Sequence, residues 1–352
     1  MVIGFELILD LGSIWVAREI EKVSIKLSKD FLMTIEVGSN WQPAAESAVL
    51  VERSRIIATL RAFLTHKGVL EVEVPILGSY SVNDLYIDSF EVLSERFEGF
   101  LQTSPESYMK RLLAAGSGDI FALGKAFRAG EIGVNHNPEF TLLEWYRVGW
   151  DEHELMTELA ELVTSLKPSL GCLTMSYQDA FIQHLGIDPH NICLSNLQKH
   201  VSSRGGDKLS TESRFDCLNY LFTIGVEPKL PEGLVFLYDY PECHAAFAQL
   251  HCNREGQWVS RRFEVYLNRL ELANGYFELT DPEEQHRRFV KDRQARITMN
   301  KQTFGEDKSA LAALHDGLPS CSGVALGVDR LIMQLLNKKS IQQVMTFSWD
   351  KR

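Results

Sequence analysis

Phe127-Arg128-Ala129-Gly130-Glu131-Ile132-Gly133-Val134-Asn135-His136-Asn137-Pro138-Glu139-Phe140-Thr141-Leu142-Leu143-Glu144-Trp145-Tyr146 is the stretch on which the reading of this chain turns. Short apolar runs from Phe121 lead into it, and its middle, Gly130 to Pro138, is polar and turn-rich. The chain then returns through apolar and aromatic residues mixed with acids. Two short strands joined by a loop, with no helix between them, read as an antiparallel pair.

The flanking sequence extends this plan. Upstream, Ile56, Ile57, Leu60, Phe63 and Leu64 form one apolar helical face, and Gly68 ends that helix. Leu70, Val72 and Val74 alternate with Glu71 and Glu73, which predicts a half-buried strand closed by Pro75. Downstream, helices are expected at about 151–166, 176–186 and 212–223, and a second block of strands from Val235 to Phe277. Asp281, Pro282 and Glu284 read as N-cap, first-turn proline and capping-box glutamate of a helix reaching about Met299. A last strand, Gly323 to Gly327, runs into a helix from Asp329 to Leu336. Strands that come in runs predict the α+β class, an antiparallel sheet flanked by helices. Neither a G-x-x-x-x-G-K-[ST] nor a G-x-G-x-x-G loop occurs, which argues against P-loop and Rossmann nucleotide sites.

The 352 residues are 45% hydrophobic and 24% charged, an ordinary globular balance, with a net charge of -11. An acidic chain is poorly suited to a polyanionic main partner. The six cysteines form no C-x-x-C pair and read as reduced thiols. Cys243-His244 and His251-Cys252 are adjacent pairs; on strands their members point to opposite faces and rarely converge on one metal ion. With no apolar run of membrane-spanning length and no basic n-region, a cytoplasmic protein is expected. Residues 1–40 lack clear periodicity and read as an N-terminal extension ahead of a domain over 41–352; Met33 is one place where translation could start.

Three clusters carry chemistry. Arg128, Glu131 and His136–Tyr146 make a plausible nucleotide clamp, since a guanidinium matches phosphate oxygens and aromatic rings stack on a base. Taken alone, they also fit a hairpin with a surface salt bridge. Glu264, Glu271 and Glu278 are three carboxylates within two strand segments, with Asn274 between the last two. The odd spacing of Glu264 and Glu271 puts them on opposite faces of a regular strand. A bend near Asn268 would bring them together, and converging oxygens suit Mg²⁺. A solvated acidic face fits equally. Ser322 to Arg330 is a small-residue strand entering a helix, where a ligand could approach closely or the backbone could simply be buried.

Together and in this order the clusters resemble the class II aminoacyl-tRNA synthetases. Arg128 with His136–Tyr146 resembles that family's second motif, Gly323–Arg330 its third, and the unit ending at Pro75 its first, which forms the dimer interface. Within the family the chain is similar to the lysine branch, through Phe127-Arg128, His136–Thr141 and Glu271 with Asn274–Leu279. Thr103–Glu106, His136–Tyr146 and Cys321–Arg330 resemble its free-standing paralogues, which attach (R)-β-lysine to elongation factor P. The roughly 40 residues ahead of the match are too few for the several strands of an anticodon-binding barrel.

The resemblance implies ATP and Mg²⁺ as cofactors, a homodimer, and elongation factor P as protein acceptor. It implies that Arg128 holds the α-phosphate and Arg330 the γ-phosphate, with Ala129, Gly130, Asn137, Glu271, Leu272 and Gly327 lining the ATP site. Glu264 and Glu271 would carry the metal. Ser104, Pro105, Glu106, Tyr146, Asn274, Glu278 and Ala325 would form the amino-acid site. Two departures stand out. The family's Arg-Asn-Glu becomes Arg128-Ala129-Gly130-Glu131, and Ala325 replaces a glycine of lysyl-tRNA synthetases. The added methyl should shift the fit away from α-lysine. Transfer to tRNA or a carrier protein, a silent regulatory paralogue, and an amino-acid amide synthetase are the alternatives.

Overall fold

The computed structural model describes residues 41–82, 84–206 and 213–351. The expectations for residues 1–40 lie outside these.

The quoted stretch is a hairpin. β5 (Ile120–Phe127) and β6 (Glu139–Val148) pair antiparallel in a register that sets Phe127 against Glu139 and Ile120 against Tyr146. From β6 the sheet continues antiparallel through β12 (Cys321–Gly327), β11 (Leu270–Phe277), β10 (Trp258–Leu267) and β8 (Leu234–Pro241). Its edges differ from the expected plan. β1 (Leu70–Glu71) joins β5, and β7 (Cys172–Ser176) joins β8, both in parallel. The short β9 (Leu250–Cys252) pairs with β10. A separate small sheet holds β2 (Leu77–Gly78), β3 (Glu91–Leu93) and β4 (Glu98–Leu101).

The helices form two layers on the large sheet. α1 (Ser47–His66), α3 (Glu152–Leu166) and α9 (Val328–Leu335) pack on one face, burying Ile56, Leu60, Leu159 and Ile332 against Phe121, Leu143, Trp145 and Val324. α2 (Glu106–Ala114) and α8 (Lys308–Gly317) cover part of the opposite face through Met109, Leu113 and Leu314. α4 (Tyr177–Leu185), α5 (Leu194–Ser202) and α6 (Arg214–Gly225) gather around their own core at the β8 end. α7 (Pro282–Thr298) follows β11.

Local signals explain most boundaries. Gly68 follows α1 at φ 79°, and Gly186 caps α4 in the left-handed region at φ 68°. Asp151 closes a full capping box with Glu154 at the start of α3. Asp281 caps α7 through the N–H groups of Glu283 and Glu284. Glu284 does not reach back as a capping-box partner; its carboxylate is taken by Arg287 and Arg288. The strand expected over 70–74 is only two residues long. Val72 and Val74 pack half-buried against the core under α2 and α8, as the alternation predicts, while Leu70 is 56% exposed and Val69, at 3%, is buried instead. Cys243 and His244 lie in a short 3₁₀ turn rather than a strand. There His244 stacks on Phe215 with ring centres 4.5 Å apart, and its Nε2 is 2.8 Å from Asn219 Oδ1.

Candidate active site

Strand periodicity and register together build the site. On β6, Leu143 and Trp145 point into the main core, so Glu144 and Tyr146 face the other way. On β12, Val324 and Leu326 enter the core, leaving Gly323 and Ala325 on the same open face. The ladders align them in two rows across four strands. One row runs Glu264, Asn274, Ala325, Glu144, and the next runs Arg262, Tyr276, Gly323, Tyr146. The second row needs its glycine. A Cβ at Gly323 would lie 2.7 Å from Glu278 Oε1 and would overlap the Tyr146 ring.

At the β6 end the face becomes an acidic pocket. Lys110 Nζ lies 2.5 Å from Glu106 Oε1 and 2.7 Å from Glu278 Oε2, with its ammonium 4.7 Å from the centre of the Phe247 ring. Glu144 accepts hydrogen bonds from Ser104 Oγ at 2.6 Å and Tyr146 OH at 2.7 Å. Three carboxylates thus crowd one ammonium in a buried space. Burial, then the charge of Glu106, pushes Glu144 up to about 7. Burial pushes Glu278 up to about 8, even though Lys110 pulls the other way. Lys110 itself is held protonated by Glu106 and Glu278 against its own burial. Near neutral pH the raised carboxyls hold protons, which a cationic ligand would displace as it pairs with the carboxylates. Pro105 sits at the N-terminus of α2, and the Glu106 N–H is tied to Ser104 Oγ at 3.1 Å.

At the other end the groups are basic and acidic together. The Arg128 guanidinium lies 5.0 Å from the Phe140 ring centre and 3.6 Å from Glu131, so the displaced glutamate stays beside the arginine. Ala129 donates its N–H to Asp88 O at 2.7 Å, and Gly130 turns the loop at φ 82°. Arg330 donates to Asn135 O, to Glu271 O at 2.9 Å and to His136 Nε2 at 2.6 Å. Burial and the charges of Arg330 and Arg128 lower the His136 pKa, which keeps its ring a neutral acceptor. Gly327 begins α9, and a Cβ there would be 3.5 Å from Leu272 O. Leu272 sends its side chain into the main core, so only its backbone faces the cleft. Asn137 is buried and already engaged, donating to Glu139 O and accepting from Trp349 N–H.

Glu264 and Glu271 do approach each other. The β10–β11 turn places Asn268 and Arg269 at φ 50° and 69°, and a bulge between Val265 and Tyr266 resets the alternation. The Glu271 side chain keeps 43% exposure, and its pKa is raised by burial and then by the charge of Glu264. Glu264 is held by Tyr240 at 2.8 Å, Tyr266 at 2.5 Å and Arg262 at 2.6 Å. Glu271 thus offers an open carboxylate to a hard dication, and Glu264, 12% exposed with both oxygens engaged, would join it by giving up one of these donors. Among the described residues no group of three His, Cys, Asp or Glu side chains is placed to hold a metal ion, so further ligands would come from bound phosphate or water.

The sequence model of the family described as tRNA synthetases class II (D, K and N) matches residues 40–351. The chain belongs to that family. Among its relatives is an elongation factor P–(R)-β-lysine ligase of Pectobacterium carotovorum subsp. carotovorum (strain PC1). It is 43% identical over 325 residues, which span 89% of this chain and 98% of that protein. Proteins of the same name from Photorhabdus laumondii subsp. laumondii and Yersinia pestis (strain Pestoides F) are 41% and 42% identical, covering 89% and 88% of this chain and 98% and 97% of their own lengths.

In this class II synthetase the structure adds four groups to those the sequence marks. Lys110 is four residues after Glu106 on α2, an i,i+4 spacing that also describes a solvent pair. Arg262 shares a strand face with Glu264 and lies between the Tyr240 and Tyr276 rings, 5.1 and 5.8 Å from their centres. Arg296, fully buried on α7, donates to Ile87 O at 3.0 Å and to Asp88 Oδ1 at 2.8 Å. It thereby fixes the segment whose Asp88 carbonyl receives the Ala129 N–H. No sequence pattern marks Arg296 or Asp88, because their link crosses 208 positions.

Proposed function

We propose that this chain is an ATP-dependent, AMP-forming ligase that activates (R)-β-lysine as its adenylate and transfers it to a lysine ε-amine of elongation factor P. One observation carries the amino-acid half: Glu106, Glu144 and Glu278 face a single fixed cation, Lys110, in a buried pocket. A substrate with two ammonium groups takes the place of the protons held by the raised carboxyls, and its donors then meet charged acceptors. The names of the relatives support elongation factor P as acceptor and the β-isomer as substrate.

In the first step a carboxylate oxygen of the amino acid attacks the α-phosphorus of ATP. The bond to the β-phosphate breaks and pyrophosphate leaves. Arg128 at the rim meets the developing charge, held over Phe140 and beside Glu131. Arg330 faces the outer phosphates. Glu264 and Glu271 would hold Mg²⁺, which when bound neutralises phosphate charge. Asn274 and Ala325 lie in the row between Glu264 and Glu144, so they floor the space joining the two ends. In the second step the acceptor amine gives up its proton and attacks the acyl carbon, and the bond to AMP breaks. No protein nucleophile takes part.

With Arg128, Arg330, Glu264 and Glu271 all at one cleft, a silent regulatory paralogue is disfavoured. We take residues 41–352 as the catalytic domain and the working form as a cytoplasmic homodimer. Among the described residues no helix is long and apolar enough to cross a membrane. Amino-acid-dependent pyrophosphate exchange tests the activation half. Exchange with (R)-β-lysine above α-lysine is expected, and its absence with both would overturn the reading.

A further inference from the structure

A second cavity of about 220 Å³ lies beside the acidic pocket. Phe100, Phe247, Phe289, Val290 and Leu314 give it apolar walls, contributed by β4, α7, α8 and the segment before β9. Ser104, Glu106 and Lys110 line it as well, so it adjoins the amino-acid pocket across the N-terminal turns of α2. Size is informative here, because a dry apolar cavity of about 150 Å³ is enough to take up benzene. Apart from Arg293, which is exposed on α7 and can turn to solvent, the charged groups around it have partners. Lys110 is bound to Glu106 and Glu278, His286 lies 2.7 Å from Glu306, and Ser107 donates to Asp307 at 2.6 Å. The vacant space thus favours an uncharged apolar group over a second ion.

We propose that this cavity is an annex of the amino-acid site that receives an apolar substituent carried on the ammonium group paired with Glu106. Lysine-type amino acids bearing one N-benzyl group would then bind alongside the unsubstituted substrate. A secondary ammonium keeps two N–H donors and its positive charge, so it still satisfies Glu106 while its ring enters the cavity. The shared wall at Glu106 and Lys110 is what couples the two spaces. The inference rests on the amino-acid-activation reading given above.

The test is pyrophosphate exchange with Nα-benzyl-lysine and Nε-benzyl-lysine, each as substrate and as competitor, with (R)-β-lysine as reference. Two variants fill the cavity from outside the catalytic groups. Val290→Trp starts from a side chain that is 54% exposed, so folding tolerates it, and Ala310→Leu on α8 is the milder change. One isomer should support exchange or compete with (R)-β-lysine. The filled variants should weaken that isomer by about tenfold to two-hundredfold, the range one apolar group commands in a fitted pocket, while (R)-β-lysine stays within about twofold. Neither isomer binding, or both variants weakening (R)-β-lysine equally, overturns the annex. Loss of exchange with (R)-β-lysine in the unmodified protein would instead sink the activation reading itself.

Discussion

Glu278→Gln removes one titratable carboxyl from the acidic pocket while keeping its shape, and its two consequences have opposite signs. Glu278 is 1% exposed and lies 2.7 Å from Lys110. A hydrogen bond to a charged group contributes about 1.5–3 kcal/mol, which converts to a loss of about tenfold to 150-fold in apparent amino-acid affinity. The KM for ATP should move little, because Arg128 and Arg330 sit at the other end of the cleft. Stability of the unliganded protein should respond the other way. Burial raises Glu278 from 4.5 to about 8 in the folded state. A raised carboxyl contributes its stability fully below the unfolded value and loses it as pH rises through the folded one. The unliganded protein therefore weakens between pH of about 4.5 and 8, by an amount on the order of a few kcal/mol at about 1.4 kcal/mol per unit. Glutamine does not titrate, so the Tm of Glu278→Gln should rise relative to the parent across that window. Pyrophosphate exchange reads the first effect and thermal melts from pH 5 to 8.5 read the second. Parallel melting curves, or an ATP KM that rises as steeply as the amino-acid KM, would refute the reasoning.

Three further outcomes follow from the same geometry. Binding of a diammonium substrate should release protons near pH 7.5, because it draws down carboxyls raised to about 7 at Glu144 and about 8 at Glu278; calorimetry in buffers of different ionisation enthalpy measures this, and uptake would contradict it. Ala325→Gly should raise α-lysine activation relative to (R)-β-lysine, since Ala325 lies between Asn274 and Glu144 in the row of substrate-facing residues; an unchanged ratio in pyrophosphate exchange would remove Ala325 as a selector. Arg296→Met should raise the ATP KM by about tenfold or more through loosening of the Asp88–Ala129 contact beside Arg128, with amino-acid binding nearly kept and Arg296→Lys giving partial rescue; a lower Tm with unchanged ATP KM would leave Arg296 a purely structural residue.

The sequence makes the hairpin from Phe121 to Tyr146 legible because alternation and loop chemistry agree there. Glu144 and Tyr146 fall on the same face for the same reason. The convergence of Glu264 and Glu271 is only half legible. Asn268 signals the turn, but the bulge at Val265 and Tyr266 depends on pairing with the neighbouring strands. Lys110 is hidden because an i,i+4 ion pair on a short helix looks the same whether water or protein surrounds it. Alternation places Val72 and Val74 on the covered side but does not say where the cover ends, so Leu70 misleads. The parallel edge strands β1 and β7 are too short to announce their direction. Arg296 and Asp88 are invisible because distant residues meet only once the fold exists.

The most direct test of the account is the intact mass of purified elongation factor P after incubation with this protein, ATP, Mg²⁺ and (R)-β-lysine, with α-lysine and tRNA as controls. Elongation factor P should gain one lysyl-sized group, in a reaction that requires ATP and runs further with the β-isomer. An unmodified mass, in a sample that still exchanges pyrophosphate with (R)-β-lysine, would contradict the proposed acceptor.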